Sequence, residues 1–301
     1  YRITVTDDST YTAASGNNQI NRRSQDVTVT LTGTNDAPLI TVAAGNADSA
    51  ALNETNSGLT AAGTLTVSDV DLTNTASVAK LSVAAMGTTT GLLSTNAQLM
   101  AMLNISPAAP ANILDSTETT DQLAWIFSSG TEAFNYLAAG EQLFLSYTLR
   151  ATDSAGATAD KTLVITITGS NDAPNVSINA GNYNTASLSE TNATLSTSGT
   201  LTVSDIDRTN VVNTTRSLVV SGTSDRADPG APTDAELLSM LSLSANPILS
   251  SAQQSNTLNW AFSSNISSSK DTAFNYLKKD ETLVLTYTIT ATDNDSTPLS
   301  G

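Results

Sequence analysis

The sequence predicts an all-β chain of antiparallel β-sandwich domains in tandem, with short helical insertions. Three observations predict it: a long block of residues recurs in order, apolar and polar residues alternate at period two, and Gly, Asn and Asp interrupt the alternation at short intervals.

The recurrence comes first because it sets the units. "LTGTNDAP" (Leu31 to Pro38) returns 136 positions later as "ITGSNDAP" (Ile167 to Pro174), and "GTLTVSDVD" (Gly63 to Asp71) returns at the same spacing as "GTLTVSDID" (Gly199 to Asp207). "LAWIFSS" (from Leu123) answers "LNWAFSS" (from Leu258), and "AFNYL" stands at Ala133 and again at Ala273. "YTLRATD" (from Tyr147) matches "YTITATD" (from Tyr287) and, more loosely, "YRITVTD" (from Tyr1). Residues 1–38 therefore read as the last strands of one unit, 39–174 as a complete unit, and 175–301 as a third unit without its last strand. A complete unit is long enough to bury a core of its own.

The elements follow in order. Val27, Val29 and Leu31 alternate with Thr28, Thr30 and Thr32, which predicts a half-buried strand with β-branched Thr on its solvent face. Leu143, Leu145, Tyr147, Leu149 and Ala151 alternate in the same way, and Asp153-Ser154-Ala155-Gly156 reads as the hairpin loop that follows. Thr95 with Gln98, and Thr233 with Glu236, have capping-box spacing and predict two short helices ahead of Leu99 and Leu237. "AFNYL" reads as one helical turn that packs Phe and Leu under the sandwich. Trp125 and Trp260 fall in strand context and read as core, with a carbohydrate platform as the alternative. Many short strands with such turns point to immunoglobulin-like sandwiches in series.

Composition narrows the function. The 301 residues contain no Cys and no His, so there is no disulfide, no thiolate nucleophile and no imidazole base or ligand. Asp+Glu number 28 against 12 Lys+Arg, a net charge of −16, which repels nucleic acid and anionic membranes and attracts cations. No apolar run is long enough to span a bilayer. No Ser has a His partner, no Gly-rich phosphate loop follows a strand, and the acids recur once per unit instead of pairing in one stretch as glycoside hydrolysis requires. The expectation is a protein that is not an enzyme, with no catalytic residues.

The stretch from Trp125 to Pro174, "AFNYLAAGEQLFLSYTLRATDSAGATADKTLVITITGSNDAP" with the W-x-F before it, resembles the VCBS repeat of giant bacterial surface proteins, including RTX-type adhesins and biofilm-associated proteins. The resemblance covers the complete unit and parts of the others, and it is weakest over residues 75–120 and 210–255. It implies a cadherin-like sandwich, type I secretion to the bacterial cell surface and dependence on Ca2+.

The acids recur where strands end: Asp69 and Asp71, Asp205 and Asp207, Asp153 and Asp293, with Asn35-Asp36 and Asn171-Asp172 before Pro38 and Pro174, and Glu54 and Glu190 between the first two strands of their units. A hard cation needs six to eight oxygens, more than one strand end supplies. The pattern resembles cadherin junctions, where a D-x-D, an A-x-D and an Asn-Asp linker meet at one pole. Strand direction then groups Asn35, Asp36, Asp69, Asp71 and Asp153 at a first junction. It groups Asn171, Asp172, Asp205, Asp207 and Asp293 with Glu54 at a second. Glu190 is the matching candidate ligand of the third unit.

The leading expectation is an extender segment of an extracellular adhesin, stiffened by Ca2+ and touching neighbouring repeats of its own chain. Two alternatives stand beside it. One is a domain that binds glycans or cell surfaces through loops near Met86–Ser116 and Ser221–Ser251. The other is a filament subunit in which residues 1–38 complete the third unit of another copy by strand complementation. No nucleic-acid partner and no membrane insertion are expected.

Overall fold

A computed structural model describes residues 2–6, 11–12, 18–19, 22–251 and 253–295. The chain divides into two compact units, Tyr1–Asp36 and Ala37–Gly301.

In the first unit β1 (Arg2–Thr6) pairs antiparallel with β4 (Arg22–Asp26), and between them β2 (Tyr11–Thr12) pairs with β3 (Asn18–Gln19). The predicted strand through Val27, Val29 and Leu31 is not paired: residues 27–38 belong to no strand, and the three apolar side chains are 49%, 71% and 90% exposed. Alternation supplies an apolar face, but a strand also needs a partner, and the ladder of β4 on β1 ends where Asp26 meets Arg2.

The second unit holds two hydrophobic cores. The first is built from β5 (Leu39–Thr41), β6 (Ser49–Asn53), β7 (Thr60–Ser68), β8 (Ala76–Gly87), α1 (Asn96–Met102), β9 (Leu103–Ser106), β10 (Asn112–Leu114), β11 (Thr120–Ser128), β12 (Gln142–Asp153) and β13 (Thr158–Thr168). One sheet runs β5-β7-β11-β9 and the other β10-β8-β12-β13-β6; every pair is antiparallel except β13 with β6. Period-two alternation places Leu143, Leu145, Tyr147, Leu149 and Ala151 of β12, and Leu163, Ile165 and Ile167 of β13, on the inner face, all fully buried. They meet Leu65, Val67, Leu123, Trp125 and Phe127 of the opposite sheet. Each of the buried Leu, Ile, Val and Phe side chains contributes roughly 1.5–3 kcal/mol of burial.

Local details follow the predicted chemistry with one exception. Thr95 and Gln98 close a reciprocal capping box on α1, and Thr233 and Glu236 close the same box on α2 (Asp234–Ser239). Both indoles are core: Trp125 is 1% exposed and donates to the Ala47 carbonyl at 2.8 Å, while Trp260 is 7% exposed and donates to the Tyr183 carbonyl at 2.8 Å. The exception is "AFNYL", which is a tight turn and not a helical one. Phe134 takes φ 64° and Phe274 φ 63°, and Leu137 N–H bonds the Phe134 carbonyl at 3.1 Å. Phe134 and Leu137 are buried as the sequence suggests, with Phe134 in the left-handed region.

The second core adds β14 (Asn175–Ser177), β15 (Ser196–Ser204), β16 (Asn213–Gly222), β17 (Leu241–Leu243), β18 (Ser255–Ser263) and β19 (Leu283–Thr292). A sheet of order β14-β15-β18-β17 packs with the β16-β19 pair around Val203, Leu237, Leu258 and Trp260. The described residues provide counterparts of β8 and β12 here, but none of β13 or β6. The inner residues Leu283, Leu285, Tyr287 and Ile289 are accordingly only half-buried.

Candidate metal centre

Each D-x-D follows the end of a β-strand, and there the first Asp turns its side chain back on the chain. Asp71 N–H donates to Asp69 Oδ1 at 3.0 Å, and Asp207 N–H donates to Asp205 Oδ1 at 3.0 Å. This Asx turn occupies one oxygen of the first carboxylate. Burial then leaves the other oxygen without water.

At the first D-x-D pole, Asp69 is 4% and Asp153 6% exposed. Asp153 Oδ1 accepts from Ala157 N–H at 2.8 Å inside the β12–β13 hairpin. The loop after Asp71 reaches that hairpin through Thr75 N–H, which donates to Ser154 Oγ at 3.3 Å. Asn35 and Asp36 lie in the other compact unit, both exposed, with Asn35 Nδ2 donating to the Asp36 carbonyl at 3.1 Å.

At the second pole the residues come together across the joint between the two cores. Ser170, just past β13, donates from N–H and Oγ to Glu54 Oε1. Asp172 N–H donates to Asp207 Oδ2 at 2.8 Å, and Asn171 Nδ2 donates to Asp293 Oδ2 at 3.2 Å. Asn210, 3% exposed, bridges the linker and the D-I-D loop, donating to Asn171 Oδ1 at 3.1 Å and Asp207 Oδ2 at 3.3 Å. Two further bonds tie the cores: Thr209 Oγ1 to Glu141 Oε1 at 3.0 Å, and Ala139 N–H to Asp295 Oδ2 at 3.2 Å. Glu54, Asn171, Asp172, Asp205, Asp207 and Asp293 thus share one neighbourhood. Glu190 does not: it is exposed in a loop and accepts from Asn192 N–H at 3.1 Å.

The electrostatics of this joint are those of acids crowded out of water. Burial, reinforced by Asp205, Asp172 and Glu54, pushes Asp207 up to about 8. Burial, reinforced by Asp293 and Asp172, pushes Asp205 up to about 6. Burial also raises Glu54 and Asp172. Among the described residues five carboxylate oxygens are buried with no hydrogen-bond partner: Glu54 Oε2, Asp172 Oδ2, Asp205 Oδ2 and Asp207 Oδ1 at the joint, and Asp69 Oδ2 at the first pole. Among the described residues no three acidic side chains already stand in a closed metal-binding geometry. The joint is therefore a cluster of uncompensated acceptors, suited in donor chemistry to a hard cation but not drawn in around one.

Sequence reasoning missed Asn210 and Ser170. Asn210 had a signal: D-V-D-L-T-N ends at Asn74 and D-I-D-R-T-N at Asn210, so the Asn recurs with the acids. Ser170 had none, because a Ser after a strand is common and only its contact with Glu54 distinguishes it.

Away from the acids, a shallow cleft of about 450 Å³ lies along α1, lined by Ser94, Gln98, Met102, Ser129 and Glu132. Ser94 Oγ and Ser129 Oγ both spend their hydroxyl protons on Glu132, at 2.8 Å and 2.5 Å, which leaves neither free to donate to a sugar. Among the described residues no helix is long and apolar enough to cross a membrane.

No family model matches the sequence, and no curated protein matches it. Solved structures give distant likenesses. A PapD-like domain of human CEP192 is 9% identical over 48% of this chain and 94% of that one, at TM-score 0.29. The CooA pilin subunit of enterotoxigenic Escherichia coli is 14% identical over 46% of this chain and 99% of that one, at TM-score 0.28. Zebrafish RET cadherin-like domains 1 to 4 are 13% identical over 92% of this chain and 55% of that one, at TM-score 0.23. Nothing about activity follows from likenesses at this level.

Proposed function

We propose that the chain is a load-bearing spacer in an extracellular bacterial adhesin, and that Ca2+ at the joint between successive sandwiches fixes their mutual orientation. One observation carries the reading: four carboxylates of the joint, Glu54, Asp172, Asp205 and Asp207, each keep a buried oxygen with no hydrogen-bond partner. Buried polar atoms are ordinarily paired, and an orphaned set of one sign calls for a counter-charge. Glu54, Asp172, Asp205, Asp207 and Asp293 would hold the ion, which would supply charge compensation and a bridge between the cores. Asn210 and Ser170 position these ligands from behind. Asp69, Asp71 and Asp153 repeat the acids of this joint at the first pole of the complete unit. The net charge of −16 raises the local cation concentration. The resemblance of Trp125 to Pro174 to VCBS repeats supports the setting outside the cell, where calcium is abundant.

The test is a calcium titration that reads the melting temperature, with magnesium as the control ion. Extracellular modules bind with Kd about 10⁻⁴–10⁻³ M, and a hundredfold excess over Kd stabilises by about 2.7 kcal/mol per site. A calcium-specific rise in Tm, lost in the Asp205→Asn/Asp207→Asn double variant, is expected. An unchanged Tm at millimolar calcium refutes the reading.

A further inference from the structure

The joint between the two cores has a second set of contacts besides the orphaned carboxylates, built on the turn "AFNYLAAGE" (133–141). The first core holds this turn in place by itself. Glu141 N–H donates to the Ala138 carbonyl at 3.0 Å, Glu141 Oε2 accepts from Ala138 N–H at 3.2 Å, and Gly140 N–H reaches the Gly169 carbonyl at 3.1 Å. Tyr136 is buried, and its hydroxyl donates to the Thr88 carbonyl at 3.0 Å. The polar groups the turn has left over go to the second core. The Tyr136 carbonyl accepts from Arg208 N–H at 3.4 Å, Glu141 Oε1 accepts from Thr209 Oγ1 at 3.0 Å, and Ala139 N–H donates to Asp295 Oδ2 at 3.2 Å. Asp295 is itself held by an Asx turn, its N–H on Asp293 Oδ1 at 3.0 Å.

Arg208 follows Asp207 in sequence, but its side chain runs to Tyr136. A Cβ built on Gly91 would stand 2.8 Å from the Tyr136 ring and 2.9 Å from Arg208 Cδ. Glycine, here at φ 109°, is what lets the loop, the ring and the arginine stem close on one another. The stem carries the contact, since Arg208 Nε is buried with no hydrogen-bond partner. Long cationic side chains cover apolar surface with their methylenes in this way.

The second core repeats the turn but not its surface. Glu281 closes on Lys278 by the same two bonds, at 3.0 Å and 2.9 Å. Lys278, Lys279 and Asp280 replace Ala138, Ala139 and Gly140. Burial raises the Tyr276 hydroxyl there, and Arg226 of the same unit lies beside it and works against the rise. Tyr136 instead takes its arginine from the neighbouring unit.

We propose that the 133–141 turn, with Gly91, is a docking surface for the sandwich that follows it, that it holds the two sandwiches together without a cation, and that the stem of Arg208 decides the fit. The surface is preformed, so little ordering is needed to use it. The partner it fits is a sandwich whose D-x-D loop continues with a long unbranched side chain and a hydroxyl, as Arg208 and Thr209 supply. A cation at the acids then locks an arrangement that the polypeptide has already selected. The inference does not rest on the calcium reading.

The experiment is residue-resolved hydrogen exchange on the 1–301 chain in EDTA, read at the Arg208 and Ala139 amides, with the amides of β12 and β18 as controls. Both joint amides are expected to be protected with no cation present. Arg208→Ala is expected to speed exchange at Ala139, in the opposite core, by about tenfold, the scale of the lost stem burial, while β12 and β18 keep their rates. Arg208→Lys is expected to retain the protection, because lysine keeps the stem and puts a methylene where Nε stands. Joint amides that exchange at free-chain rates in EDTA overturn the proposal, whatever calcium does. An Arg208→Ala variant in which Ala139 exchanges as in the parent overturns it too, as does a Lys variant as fast as the Ala variant. Protection in EDTA beside a melting temperature indifferent to calcium sustains this inference and counts against the calcium reading alone.

Discussion

Replacing Asp207 by Asn separates the charge of the joint from its hydrogen bonding. Asp207 Oδ2 accepts from Asp172 N–H and Asn210 Nδ2, and an amide oxygen can accept both. What is lost is the ability to ionise. Asp207 is fully buried, and that burial pushes its carboxyl up to about 8, well above the usual carboxylate range. An acid whose pKa rises on folding holds its proton more tightly in the native state. Its contribution to stability is complete below about pH 4 and is lost as pH climbs through about 8. Between pH 5 and pH 8 that amounts to roughly 3–4 kcal/mol from Asp207, and Asp205 adds on the order of 1 kcal/mol. For domains of this size the Asp207 share corresponds to roughly 6–16 °C in Tm. The assay is thermal unfolding in EDTA at pH 5, 6.5 and 8, followed by near-UV circular dichroism. The parent chain should melt progressively lower as pH rises, and Asp207→Asn should flatten most of that slope, melting above the parent at pH 8. Adding calcium at pH 8 should reverse the order, because the parent then gains a counter-charge that the amide cannot use as well. Parallel pH profiles for the two proteins in EDTA would refute the reasoning that crowded, desolvated carboxylates dominate the joint.

Two further outcomes follow from the packing. Gly63 lies directly across the sheet from Trp125, and a Cβ there would sit 2.5 Å from the ring; Gly63→Ala is expected to cost about 1–3 kcal/mol in denaturant unfolding and to red-shift Trp fluorescence. Lys80 Nζ donates to the Met100 and Leu103 carbonyls at the end of α1, so Lys80→Met should cost about 1–3 kcal/mol and speed amide exchange there. Lys80→Arg should be milder, since Arg216 makes the matching bond to the Leu238 carbonyl at 3.3 Å in the second core.

Much of the fold was legible because it is written in local periods. Alternation placed Leu143 to Ala151 on one face, and the structure buries all five of its apolar residues. Capping-box spacing located both helices, because the box is a contact between residues three apart. Strand direction put Glu54 at the pole opposite Asp71 and therefore beside Asn171 and Asp207, where the structure gathers it through Ser170. The same reasoning failed where the deciding contact is distant. Val27 to Leu31 carry a strand pattern and are not a strand. "AFNYL" carries a helix-like pattern and is a turn with Phe134 in the left-handed region.

By itself, then, the sequence determined the recurrence, the strand faces, the helix caps and the positions of the acids, since each depends on neighbours along the chain or on exact repetition. Tertiary structure alone decided which strands find an edge, that β6 joins its sheet parallel to β13, that both indoles lie over glycines inside the cores, and that Asn210 and Ser170 stand behind the carboxylates. Pairing and desolvation are properties of groups far apart in sequence. The same D-x-D that would be a solvated turn in an open chain becomes, when folding removes water from Asp205 and Asp207, a pair of buried acids that hold their protons more tightly.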